Sequence, residues 1–305
     1  MPVVHAIFAA VAVLALASEA HAWGPGMHVE LALSALASAA LVAPAIRGLI
    51  KRFPDSFIYG AASPDIIVGK KYAGYLHHCH NWRMGWLILN EAESDRQRAA
   101  AYGYLMHLAA DVVAHNYYIP VKIVRSFEAR LLSPTYWEMR FDLGVPEKAW
   151  EKLSAVKRGE IEEFDRLLER VLRKTLFSFS TNKRIFNTIL KLQKMRRLRT
   201  SLKFYERHSR FGMVEENRRH YYDLAMESAL DFLRRPDRAA SLAVDPAGLA
   251  RLAYAKAMRG NVRAMRRSGV LTERKAARFV DLVEERLAVG LYRPEMSLPD
   301  VGDVL

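Results

Sequence analysis

Residues 103–115, GYLMHLAADVVAH, govern how the rest of the chain is read. His107, Asp111 and His115 stand at i, i+4 and i+8, and at 100° per residue they fall within about 80° of arc on one helical face. Leu105, Leu108 and Val112 around them are apolar. Three such side chains on an apolar helix, with no partner close in sequence, need pairing or a metal once buried. The 1.5 Å rise separates His107 from His115 by roughly 12 Å along the axis, while zinc–nitrogen bonds are about 2 Å long. One ion does not easily take both histidines, and Asp111 between them is placed to bridge two ions. The spacing therefore predicts a multi-metal cluster rather than a single structural site.

Three further segments carry candidate ligands. In GAASPDI, residues 60–66, Ser63-Pro64 fixes a turn that presents Asp65 beside Ile66 and Ile67; the carboxylate reads as a turn cap or as a ligand. HHCHNW, residues 77–82, is the densest window of ligand-type side chains. His78 and His80 point differently on a helix and similarly on an extended segment, so one or two of them serve the same ion. Cys79 reads as a zinc ligand or, more commonly for a lone cysteine, a buried thiol. WGPGMH, residues 23–28, puts a histidine close behind a Gly/Pro turn.

Outward from these motifs, apolar residues recur every three or four positions through 29–42, 45–50, 99–119, 164–179, 185–204, 221–232 and 249–265, the signature of amphipathic helices. No stretch alternates with period two for long enough to make a sheet. Prolines 54, 64, 120, 134, 146, 236, 246 and 294 punctuate the segments as starts or stops. With 51% hydrophobic residues over 305 positions the chain can bury a core, which excludes general disorder. A lone cysteine forms no intrachain disulfide. The expectation is an all-α single domain over residues 23–305, with a basic helical extension over 141–305. Residues 6–17 form an apolar run too short to span a bilayer, followed by Ala20-His21-Ala22. That pattern predicts a signal peptide, residues 1–22, cleaved before Trp23, and a secreted or periplasmic protein.

Charge and chemistry separate along the chain. The formal net charge is +13. Residues 1–120 hold eight basic and eight acidic side chains, so the whole excess lies later, whereas eight of the ten histidines lie early. Residues 183–210 contain ten Lys/Arg and one Glu among aromatic and aliphatic residues. Such a run reads as a solvated helical face, as a contact with an anionic membrane surface, or as a track for a nucleic-acid backbone.

Taken in order, these pieces resemble the bacterial zinc-dependent phospholipase C family, related to the lipid-anchor-cleaving phospholipase D domain and to single-strand-specific zinc nucleases of the same fold. The resemblance is strongest over residues 23–140. It implies that cleavage exposes Trp23, whose amine and carbonyl bind zinc, with His28 at the spacing of the nuclease branch. An α-amino group with a pKa of about 7.7–8.0 loses its proton to a metal at little cost near neutral pH. The resemblance further implies two to three zinc ions, held by Asp65, His80 or His78, His107, a bridging Asp111 and His115, with Asp65 also a candidate general base. The family completes its third site with His-x3-Glu. Here the best candidate is Glu138, whose partner position is Pro134; Glu216-x3-His220 has the reverse order and lies beyond the matched region. The implied activity is hydrolysis of phosphodiesters, with phospholipid as the leading substrate. A nuclease acting on single-stranded nucleic acid is the alternative, and a zinc-binding envelope protein with weak or no catalysis is the non-enzyme reading.

Overall fold

A capping box opens the helix around which the chain is built. Ser94 Oγ accepts from the Gln97 amide at 3.2 Å and the Gln97 side chain accepts from the Ser94 amide at 3.4 Å, so two of the donors left open at a helix start are satisfied reciprocally. The structure, a computed structural model, describes residues 23–67, 79–129, 134–172, 177–194, 200 and 215–305. Residues 1–22, read above as a signal peptide, His78 and most of the 183–210 basic run lie outside the described residues. The helices are α1 (Pro25–Ala37), α2 (Pro44–Arg52), α3 (Pro54–Ala62), α4 (Trp82–Asn90), α5 (Asp95–Val113), α6 (Ile119–Arg125), α7 (Pro134–Asp142), α8 (Glu147–Ala155), α9 (Arg158–Val171), α10 (Phe179–Lys194), α11 (Glu215–Arg234), α12 (Leu249–Arg267) and α13 (Glu273–Val289). There is no strand among the described residues, and the fold is all-α as expected. Pro25, Pro44 and Pro54 open α1, α2 and α3, where a missing N–H costs nothing and the fixed φ suits the helix.

The capped helix, α5, continues through a π-turn at Ala114–Tyr118 into α6, forming one buried rod. Helices α1, α2, α3, α4 and α11 pack on α5, while α12 and α13 pack on α6 and the π-turn. The closest approach is between α3 and α5. A methyl at Gly60 would stand 1.9 Å from the Ala100 carbonyl oxygen, and one at Gly103 would stand 2.1 Å from that of Phe57. Each backbone therefore fills the space a side chain would take on the other, and α3 is held where its C-terminal turn reaches the middle of α5.

The basic second half is anchored to the same rod. Ser228 on α11 donates to the Ala109 carbonyl at 2.7 Å. From α12, Arg263 donates to Phe127 O at 2.8 Å and to Ala129 O at 2.7 Å, and Arg259 also donates to Ala129 O. These carbonyls follow the end of α6, where helix geometry leaves acceptors unpaired.

Because the α3–α5 contact is backbone against backbone, Gly103→Ala must push the helices apart and should cost about 1–3 kcal/mol or more. Gly260 in α12 has open space around it, so Gly260→Ala should stabilise by about 0.4–1 kcal/mol. Urea unfolding of both variants checks the contrast; equal effects would contradict the close packing of α3 and α5.

Candidate metal centre

Histidine orientation on this rod is set by main-chain acceptors. His107 Nδ1 lies 2.8 Å from Ala61 O, at the end of α3, and a carbonyl accepts only, so Nδ1 carries the proton. The other nitrogen, Nε2, is then a lone pair. It points at Asp111 Oδ2, 3.1 Å away, and at His80 Nε2, also 3.1 Å away. His80 is turned the same way by the Cys79 sulfur, 3.3 Å from its Nδ1, while Tyr104 OH donates to Cys79 O at 2.6 Å and steadies that segment. Its Nε2 stands 3.2 Å from Asp111 Oδ2 and 3.4 Å from Asp65 Oδ1. Asp65 itself is carried by the 3-10 turn Ser63–Ile66 that follows α3, with Ser63 Oγ donating back to Tyr59 O at 2.6 Å.

The π-turn delivers His115. Asn116 fills the widened turn, donating to Val112 O at 3.0 Å and to Asp245 O at 2.9 Å. His115 Nδ1 donates to Pro246 O at 2.5 Å and lies 3.9 Å from Asp111 Oδ2. Gly248 completes this latch in the left-handed region (φ 58°), where a methyl would stand 2.5 Å from His115 O. Helical spacing sets His107 and His115 far apart along the axis, and Asp111 lies between them as the spacing predicts.

His28 comes from α1. Its ring stacks on His107 at 3.5 Å, and Nε2 lies 3.2 Å from Asp111 Oδ1. Helix α1 is capped from a distance: Asp142 accepts from the amides of Gly26 (3.2 Å) and Met27 (3.0 Å). The opening GPG has a packing reason, since a methyl at Gly24 would meet Asp142 and one at Gly26 would meet the Trp150 ring. The Trp23 ring is fully buried against Phe141, Tyr118 and His28.

His28, His107 and Asp111 form one group whose donor atoms lie within 4.8 Å of one another, and Asp65, His80 and His107 form another. Trp23, His115 and Glu138 join neither group among the described residues, and His78 lies outside them. Glu138 is buried on α7. Pro134 opens that helix, and the carboxyl one turn from Glu138 is Asp142, also buried. His220 is exposed and stands edge-on to Tyr117 and Tyr221. Asp142 and the 245–248 latch left no signal in sequence, because their partners are 115 or more residues away.

Acceptors face acceptors at the centre. Neither Asp111 oxygen nor either His28 nitrogen makes a hydrogen bond, although all are buried; the imidazoles sit at ion-pair distance without hydrogen-bond geometry. Burial, with His28 adding to it, lowers His107 to about 4. Burial works to raise Asp111, yet His107, His28 and His115 outweigh it and hold the carboxyl well below its usual range. Asp142 is pushed up to about 7 by burial. A buried carboxylate facing imidazole nitrogens, with the outer Nδ1–H groups of His107 and His115 held by carbonyls, is the donor set and supporting shell of a nitrogen- and oxygen-liganded metal, and the residues fit such an ion. A family model described as zinc dependent phospholipase C matches residues 27–179. The chain belongs to this family. No curated protein and no solved structure matches the chain. For a zinc-dependent phospholipase C, the matched span covers α1 to the start of α10 and leaves the latch at 245–248 outside it.

The low His107 value has a consequence for the metal-free protein. Between about pH 6.5 and pH 4 the unfolded chain protonates this histidine and the folded chain does not, so stability falls as pH drops through that window. Asp111 gives up its contribution only at lower pH. Asp142, raised to about 7, binds its proton in the folded chain over the same range and opposes that loss, so the His107 contribution is read as a difference. Chemical denaturation of chelator-treated protein should show the parent losing a few kcal/mol relative to His107→Gln from pH 7 to pH 4.5. Parallel profiles of the two proteins would contradict a neutral, buried His107.

Proposed function

We propose that the chain hydrolyses phosphodiester bonds of phospholipids at a cluster of two to three zinc ions, after export and cleavage before Trp23. The observation that carries this reading is the ring of inward-facing lone pairs around Asp111. Asp65, His80 and His107 would hold one ion, His28 with the Trp23 amine and carbonyl would hold a second, Asp111 would be shared between them, and His115 and Glu138 would serve a third. Zinc supplies Lewis-acid polarisation of the phosphoryl oxygens and a water acidified to near neutral pH.

The protein's own groups do the rest. Asp65, whose Oδ1 lies 3.4 Å from His80 Nε2, takes the proton from the attacking water. His107 keeps its Nδ1 proton on Ala61 O throughout, so its ring does not become a competing acid. Burial of these seven side chains keeps bulk water from the charge that develops on the phosphate.

Export with processing should remove 22 residues, seen by intact mass. The processed protein should contain zinc and hydrolyse dispersed short-chain phosphatidylcholine faster than single-stranded DNA. Faster cleavage of the DNA would move the assignment to a nuclease, and bound zinc with neither activity would overturn hydrolysis altogether.

A further inference from the structure

A cavity of about 250 Å³ flanks the cluster, lined by Asn81, Trp82 and Arg83 at the start of α4 and by residues 242–246. Asn81 follows His80 in the chain, and Pro246 carries the carbonyl that holds His115, so its two walls are the immediate supports of two cluster histidines. We propose that this cavity is a subsite for a second anionic group of the substrate, with Arg83 as the residue that selects for it.

The other polar side chains that line the cavity are already engaged. Asn81 uses its side-chain oxygen to cap α4, accepting from Met84 N at 2.7 Å. The Trp82 indole donates to Val244 O at 2.9 Å, which ties the two walls together. Asp245 turns its carboxylate to the amides of Ala247 (3.1 Å) and Leu249 (3.3 Å). Arg83 is exposed and makes no hydrogen bond or ion pair among the described residues, so the guanidinium is the lining group still open to a ligand. Leu242, Ala243 and Pro246 supply apolar walls. The volume suits a phosphate and part of its carrier, being roughly that of eight waters. Since 242–246 lies outside the family match, one wall of this cavity belongs to this chain's own extension, where substrate preference can differ from the family's common chemistry.

This inference rests on the hydrolytic reading of the cluster, and a binding experiment separates the two. The zinc-loaded processed chain, beginning at Trp23, is titrated calorimetrically with inositol 1-phosphate against inositol 1,4-bisphosphate, and with thymidine 3′-phosphate against thymidine 3′,5′-bisphosphate. The bisphosphate of at least one pair should bind about tenfold or more tightly, as expected for an added charge-assisted hydrogen bond. The inositol pair marks a lipid headgroup as the source and the thymidine pair a nucleotide. Arg83→Gln should bring that ratio close to one, whereas Arg238→Gln, at an exposed arginine paired with Asp237, should keep it and so exclude a general effect of net charge. Equal binding within both pairs, or a ratio that survives Arg83→Gln, would overturn the subsite. A zinc-loaded parent that shows the Arg83-dependent ratio yet hydrolyses neither phosphatidylcholine nor single-stranded DNA would instead count against the hydrolytic reading and leave the subsite standing.

Discussion

A carboxylate with no exposure to water, set among four imidazoles, is the constraint that organises this molecule. Asp111 has one oxygen facing His28 and the other facing His80, His107 and His115. An isolated buried charge is very costly, and such groups persist when paired or when they coordinate a metal. The surrounding packing serves that demand. Contact through Gly60 and Gly103 lets α3 bring both the Ala61 carbonyl and Asp65 to the middle of α5. Asp142 fixes the start of α1 and so the reach of His28, and the 245–248 segment fixes His115. Removing any one support leaves a charged or lone-pair group facing another without compensation, which places the stability of the core and the integrity of the site on the same contacts.

The helical fold was legible because the apolar positions repeat at the helical period and the prolines fall at helix starts. Residues 107–115 were legible as a ligand-type face for the same reason, and the structure brings His28, Asp65, His80, His107, Asp111 and His115 into one buried cluster. Three features were not legible. The π-turn re-aims His115 after α5, and nothing in AHNYY distinguishes it from ordinary helix. The distant cap on α1 is a tertiary pairing, although the crowded GPG beside it was visible as a turn. The surroundings of Glu138 are the third, since the position four residues before it is the proline that opens α7 and the buried carboxyl on its helix lies four residues the other way.

The positive charge of the second half has a partly structural explanation. Arg251, Arg259, Arg263 and Arg266 on α12 all donate to main-chain carbonyls, at the ends of α6 and α13 and in the turn after α12. A planar guanidinium with five donors suits such clusters of unpaired acceptors. These arginines are therefore engaged in holding helix ends to the rod, and the surplus available to an anionic partner is smaller than the net charge suggests.

The central claim is that Asp111 joins two metal positions. Elemental analysis of purified protein, parent beside Asp111→Asn, tests it most directly, because the asparagine keeps the shape and loses the charge. The account predicts at least two zinc ions per parent chain and the loss of more than one in the variant, with His107→Gln also losing zinc. A parent holding one ion or none, or an Asp111→Asn chain that keeps its full complement, would contradict it.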